Sequence, residues 1–361
     1  MCIKNLDFLN LIINTCKFGI SIQQSNGAMP PGKNGPHNHN MTGARTTSHW
    51  AILFSYAYKL TQDKKYSECA NTALNALIYE YRPLNGAFWH RQENFYSSYN
   101  GLIGQAWTLE ALYYGYKTLE RDDLYSIGKA LVDKHPFDEK SGLWYEIDLD
   151  GSVKRIGLTL NQQIWFTAIA SQFLAKNSLL PVRFLDLLEN NFHIRCTGLF
   201  YTQIPQRTLK DNVRRMRQTI LSDKRLEIDA GYHLFTMVAL AMLYEKFSKH
   251  PFFQSKKFAR ALDYTFSSQY QVALKASRFG YPYNVPGFEF PFVYKVFQDR
   301  LTANAYKIVI DSAIHQLENH LDPTSHLLTK ATKDPITLIA RTYEVYRTPL
   351  EFWNHVKEMK C

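Results

Sequence analysis

Cysteine is scarce in this chain and shows no pairing pattern. The five residues Cys2, Cys16, Cys69, Cys196 and Cys361 make an odd total and include no CxxC pair. That excludes a disulfide scaffold, speaks against a structural zinc site, and suits a reduced, cytoplasmic setting. Glycine (17) and proline (14) are few and unperiodic, which excludes a collagen-like or low-complexity chain. No apolar run approaches the roughly 18 residues that a membrane span needs, so no transmembrane segment is expected. Residues 8–20 are apolar but interrupted by Asn10, Asn14 and Lys17 and lack a small-residue cleavage site, so they read as an amphipathic helix and not as a signal peptide. HExxH, GxGxxG and GxSxG are all missing. The segment from Gly27 to Lys33 imitates a phosphate-binding loop, but Asn34 replaces the magnesium-binding hydroxyl and two prolines remove backbone donors. His37 and His39 offer two metal ligands without a third, so neither a metal nor a cofactor is expected.

What is present is a globular balance: 45% hydrophobic and 20% charged residues over 361 positions, enough for one large core. Internal self-similarity is the strongest signal. Gly86-Ala87-Phe88-Trp89-His90 is echoed by Gly142-Leu143-Trp144-Tyr145-Glu146 and again by Gly198-Leu199-Phe200-Tyr201-Thr202, with the glycines 56 residues apart. Each motif reads as a tight turn entering a short strand. Between the motifs lie two kinds of helical pattern. Residues 232–247, 102–116 and 164–174 are apolar nearly all round, which demands burial on every side. Residues 257–266, 184–194 and 301–317 are amphipathic. One buried helix, one half-buried helix and one turn make a unit that divides the chain about six times. The expected architecture is therefore all-α: a single domain over 1–361 in which six helical hairpins close into an (α/α)6 toroid, with short β-hairpins in the loops. An open solenoid would need polar caps that the apolar N-terminal segment does not supply.

The net charge of +10 bears on partners and not on fold. A basic stretch at 206–225 reads either as a solvated loop or as a cationic lip for an anionic ligand such as a uronic acid or sugar phosphate. No nucleic-acid module is recognisable, so nucleic acid is not an expected partner.

Candidate site residues cluster where buried helices begin. Ser48 or Thr47 could cap the first, placing Arg45, His49 and Trp50 at its mouth. Asn161, Gln162, Gln163 and Trp165 open another, Asp229, Tyr232 and His233 a third, and Tyr283, Asn284 and Glu289 a fourth. Rings beside amides, histidines and arginine describe a carbohydrate site. Each has a plainer reading: Trp50, Trp165 and Tyr232 as core, Asp229 as a helix cap, His49 and His233 as hydrogen-bonded core histidines. Glu289, between Phe288 and Phe290, is costly to bury as an ion and would suit general acid work if its pKa is raised.

Residues 34–50, 159–167 and 281–292, together with Phe137-Asp138, Gly142-Leu143-Trp144 and Gly231-Tyr232-His233-Leu234-Phe235, resemble the AglQ family of surface-glycan gene clusters. The resemblance implies a six-hairpin toroid like that of the unsaturated glucuronyl hydrolases and the N-acylglucosamine 2-epimerases, and a role in assembling or modifying surface glycans. The family pattern places an acidic residue between Asn-Gly-Pro and the arginine; here His37 to Thr42 contain none. A hydrolase of acidic sugars would thus depend on Glu289 or Asp229, with Arg45 gripping a sugar carboxylate. An epimerase or isomerase would use His49, His90 and His233. A non-catalytic glycan-binding protein is the third reading.

Overall fold

The structure, a computed structural model, describes residues 7–92, 98–204 and 223–353. Its core is a ring of inner helices: α2 (Ala44–Thr61), α4 (Gly101–Leu119), α6 (Leu160–Ala170), α8 (Asp223–Phe247) and α11 (Pro286–Phe297). A sixth inner position is filled by the short α13 (Pro335–Ala340) running into a 3-10 turn, Arg341–Arg347. Each inner helix packs on the next, and the 3-10 turn packs on both α11 and α2, so the ring closes. Composition explains the placement. Every residue of α2 from Ala44 to Ala57 is buried, as is every residue of α4 from Gly101 to Leu112. A helix without a polar face has no stable position except between neighbours.

The outer layer is amphipathic. It comprises α1 (Phe8–Ile22), α3 (Lys64–Glu80), α5 (Asp122–Lys134), α7 (Leu180–Asn191), α9 (Lys256–Thr265), α10 (Ser268–Ala276) and α12 (Asn304–His320). In α3 the buried set Tyr66, Ala70, Ala73, Leu74 and Leu77 follows helical spacing and leaves the other face to water. Side-chain caps start several of these helices: Asp7 accepts from the Leu9 amide at 2.9 Å, Asp63 from Lys65 at 3.1 Å and Ser255 from Phe258 at 3.2 Å. Helix α1 leans on α2 through Gly19, where a β-carbon would stand 2.3 Å from the Trp50 ring. Phe8 stacks on Trp353 at 4.4 Å, tying α1 to the far end of the described chain.

The three glycine-aromatic motifs sit at equivalent places and are clamped alike. Gln105 of α4 accepts from the Phe88 amide (2.8 Å) and donates to the Phe88 carbonyl (3.1 Å). Gln163 of α6 does the same for Trp144, at 2.9 Å in both directions. His233 of α8 accepts from the Phe200 amide through Nδ1 at 3.3 Å. The second motif forms strand β2 (Leu143–Ile147), flanked by β1 (Phe137–Asp138) and β3 (Val153–Ile156) in an antiparallel sheet, with Phe137 opposite Trp144 and Tyr145 opposite Ile156. The third contributes only an isolated bridge between Ile194 and Phe200, and residues 86–90 of the first contribute no strand, so the expected strand entry holds fully at one motif.

Several expected helix starts move. Thr47 and Ser48 lie inside α2 and cap nothing: the Ser48 hydroxyl donates back to the Ala44 carbonyl at 2.8 Å, and Thr47 Oγ1 accepts from the Met29 amide. Asp229 lies inside α8 and not at its start. The phosphate-loop mimic is filled from within, because the Lys33 and Gly35 amides both donate to Asp334, at 2.9 and 2.8 Å. Among the described residues one helix, Lys224–Phe247, is long and apolar enough to cross a membrane; 78% of its apolar window is buried as an inner helix of the ring.

Candidate functional site

Inside the ring is a cavity of about 280 Å³. Five inner helices reach it at or near their starts: Arg45 from α2, Asn100 and Ile103 from α4, Asn161 and Gln162 from α6, Arg225, Ile228 and Tyr232 from α8, and Tyr283 and Asn284 just before α11. The sixth element reaches it through Arg341, where α13 ends and the 3-10 turn begins. Helix N-termini that converge this way favour negative charge. The lining also includes Asn34, His37, Arg91 and Trp107. Four arginines therefore face the space, and among the described residues no aspartate or glutamate does.

One wall is a hydrogen-bonded chain. Arg45, 2% exposed, lies over the Trp107 ring at 4.2 Å and donates to Asn34 Oδ1 and to the Tyr283 hydroxyl at 3.1 Å. Tyr283 in turn donates to Asn34 Oδ1 at 2.7 Å. The His37 Nε2 and the Tyr232 hydroxyl share a 2.7 Å bond. Asn34 holds the left-handed conformation (φ 59°) that turns its side chain to these partners. Burial, then the nearby His39 and Arg45, lower His37 to about 4, so its imidazole is neutral at pH 7. Burial raises Tyr232 well above the ordinary phenol value. Several buried polar atoms of the lining have no protein partner: Arg45 Nε, Asn100 Nδ2, Asn161 Oδ1, and Nε and Nη1 of Arg341. Such orphaned groups are costly unless a ligand or water meets them.

Of the residues picked from the sequence, Arg45, Asn161, Gln162, Tyr232, Tyr283 and Asn284 meet at this cavity. Seven do not line it. Trp50 faces outward against Gly19 and Phe54. Trp165 is fully buried, stacks on Phe235 at 4.6 Å and donates to its carbonyl. His90 bonds to Thr108 at 3.1 Å and burial lowers it to about 3. His233 is the clamp of the third motif. Its Nδ1 accepts, while Nε2 meets Thr265 Oγ1, whose own proton goes to the Ala261 carbonyl. Both nitrogens are thereby committed in the neutral form, and burial lowers the group to about 3. Asp229 accepts from the Thr202 amide and hydroxyl and pairs with Arg195 at 2.8 Å, a structural tie between loop and helix. His49 is sealed between Tyr343, stacked at 4.4 Å, and the edge of Trp107. Glu289 is buried against Arg341, which itself lines the cavity while Glu289 does not.

Sequence reasoning missed Arg341 and Trp107. Arg341, Glu344 and Arg347 recur at helical spacing inside an otherwise apolar segment, and that spacing was the available signal. Among the described residues no group of three or more His, Cys, Asp or Glu is placed to hold a metal. The basic stretch expected at 206–225 lies mostly outside the described residues; Arg225 is its member at the cavity.

Comparisons with known proteins agree with the geometry. No family model matches the chain. Among solved structures, cellobiose 2-epimerase from Spirochaeta thermophila superposes with a TM-score of 0.65 over 98% of both chains at 12% identity. A D-mannose isomerase gives 0.63 over 99% of both at 13% identity. A family 76 glycoside hydrolase from Bacteroides thetaiotaomicron gives 0.57 over 98% of this chain and 99% of its own, at 13% identity. At such identities these likenesses show the (α/α)6 toroid fold. Archaeal glycosylation protein Q of Haloferax volcanii is 32% identical across 94% of this chain and 96% of its own length. A likeness of that depth, along nearly the whole of both sequences, places this chain in the archaeal glycosylation protein Q family.

Proposed function

We propose that the chain is a carbohydrate-active protein of surface-glycan biosynthesis whose cavity receives an acidic sugar of the uronic acid type. One observation carries this reading: Arg45, Arg91, Arg225 and Arg341 line the cavity and no carboxylate among the described residues does. Guanidinium pairs carboxylates in two-point geometry, and the rings of Trp107, Tyr232 and Tyr283 line the same space. The relative's name, a glycosylation protein, supports a role with saccharides. The arginines line a concave space and not an open surface, which suits a small saccharide better than a nucleic acid. A cytoplasmic location remains part of this reading.

The chemistry we infer is proton transfer, as in an epimerase or isomerase. The histidines expected to serve it are core residues, and His37 takes their place. Its neutral imidazole is a base in contact with the Tyr232 hydroxyl, an acid, and both line the cavity. When the substrate carbonyl takes the Tyr232 hydrogen bond in place of His37, the freed imidazole nitrogen removes the proton next to that carbonyl, and Tyr232 and the arginines stabilise the oxyanion that forms. Hydrolysis is the second reading. It needs a carboxyl at the scissile bond. Glu289, which burial pushes up to about 8, is protonated at neutral pH as a general acid must be, but it is buried against Arg341 and does not line the cavity, which is why hydrolysis ranks second.

Proton NMR of glucuronate and galacturonate incubated with the protein in D2O separates the two. Isomerisation incorporates solvent deuterium at the carbon next to the carbonyl, and His37→Gln or Tyr232→Phe slows it at least a hundredfold. Release of sugar from a uronate glycoside without C–H exchange supports hydrolysis. Absence of binding by either acid overturns the acidic-sugar reading.

A further inference from the structure

Beneath the cavity a chain of buried charge crosses from α4 to α11. Glu110 pairs with Arg347, Arg347 with Glu344 at 3.1 Å, Glu344 with Arg341 at 3.3 Å, and Arg341 with Glu289. None of the five side chains is more than 3% exposed. Three carboxyls meet two guanidiniums, so full ionisation leaves one negative charge uncompensated. Buried charge of that kind is costly and a retained proton removes it. Burial raises Glu289 and Glu110 against the pull of their arginines, in agreement with one shared proton. Arg341 belongs to both structures. Its Nη2 is held by Glu289 and Glu344, while its Nε and Nη1 have no protein partner and the residue lines the cavity.

We infer that the buried ion chain positions Arg341 as the receptor for the ligand's anionic group and takes up one proton when that anion binds. The inference rests on the acidic-sugar reading above. An anion on Arg341 shares the guanidinium with Glu289 and Glu344 and brings a further negative charge beside them, which favours the neutral carboxyl. The groups facing Glu289 are Arg341, Glu344 and Arg347 from the 3-10 turn and Tyr270 from α10. Helix α8 brings Tyr232 beside Arg341, and on α12 Asp311 and His315 face Tyr281 instead. Burial keeps Tyr232 and Tyr270 protonated and His37 and His49 neutral between pH 7 and 9, so none of these competes for the proton. The free protein releases the proton as pH rises through about 8, the anion complex only at higher pH. Affinity is therefore full below pH 7 and declines above it.

Calorimetric titration of the full chain with methyl glucuronide, in two buffers of different ionisation enthalpy, tests this. The expected result is uptake of nearly one proton per ligand at pH 9, almost none at pH 6.5, and binding about tenfold weaker at pH 9 than at pH 7. Glu289→Gln, which keeps the shape of the protonated side chain, removes both the uptake and the pH dependence. Methyl glucoside, which lacks the carboxylate, shows neither with the wild-type protein. PH-independent binding of methyl glucuronide without proton uptake overturns the inference and leaves the acidic-sugar reading standing. No binding at any pH overturns both. If the Gln variant does not fold, the two-buffer measurement on the wild-type protein decides alone.

Discussion

At the scale of single residues the molecule separates side chains that look interchangeable in the sequence. Asn161, Gln162 and Gln163 are three consecutive amides, yet a step of one residue turns a helix by about 100°. Two of them face the cavity, while Gln163 turns to the loop and holds the Trp144 amide, the Trp144 carbonyl and the Gly157 carbonyl. Gln163→Ala strands two buried backbone groups, the Trp144 amide and the Gly157 carbonyl, while the Trp144 carbonyl keeps the Gly157 amide at 3.2 Å; the change is expected to cost about 2–4 kcal/mol of stability. Gln162→Ala is expected to cost under about 1 kcal/mol and to act on ligand affinity instead. Chemical denaturation of both variants checks this; equal losses would contradict the division of labour. His233 was legible as a polar residue at a helix start, but its role as the counterpart of Gln105 and Gln163 was not, because equivalence across the motifs depends on a backbone contact and not on residue type.

At the scale of elements the inner and outer layers were legible because burial on every side and burial on one side leave different apolar patterns. Helix starts were less so. Residues 44–48 read as a cap followed by a helix, but the helix begins at Ala44 and its hydroxyls serve neighbouring backbone within the packed ring. The sixth inner element escaped notice because it is short and carries Arg341, Glu344 and Arg347, which signal a surface until their partners Glu289 and Glu110 arrive from distant segments. Packing of α1 on α2 offers a test at this scale. Gly19→Ala places a methyl 2.3 Å from the Trp50 ring and is expected to destabilise by roughly 1–3 kcal/mol. Thermal unfolding measures it, and an unchanged midpoint would show that α1 is not seated as described.

For the whole molecule, closure of the ring brings five helix starts and Arg341, at the end of α13, to one cavity, so residues separated by up to 307 positions, Asn34 and Arg341, share a lining. The spacing of the repeats made this ring legible, but not which residue of each start turns inward. Closure also buries several neutral histidines. His37 and His135 are lowered to about 4, and His90 and His233 to about 3, burial being the largest cause in each. The unfolded chain protonates these groups near pH 6.5 and the folded one does not. Stability present above that pH is lost as pH falls toward 4, by up to about 1.4 kcal/mol per pH unit for each histidine. Glu289, which keeps its proton in the folded state up to about pH 8, adds stability as pH falls over the same range and offsets part of this loss. Denaturation is therefore expected to show a net loss from pH 7 to pH 5, and equal stability at the two would contradict it.

The central claim is that an arginine-lined cavity, free of carboxylates among its described residues, receives an acidic sugar. A crystal structure of the protein with methyl glucuronide tests it most directly. The account predicts the sugar within the ring, its carboxylate hydrogen-bonded to Arg341 or Arg45 and its ring against Trp107 or Tyr283. A sugar bound outside the ring, or one inside it with the carboxylate turned away from every arginine, would contradict it.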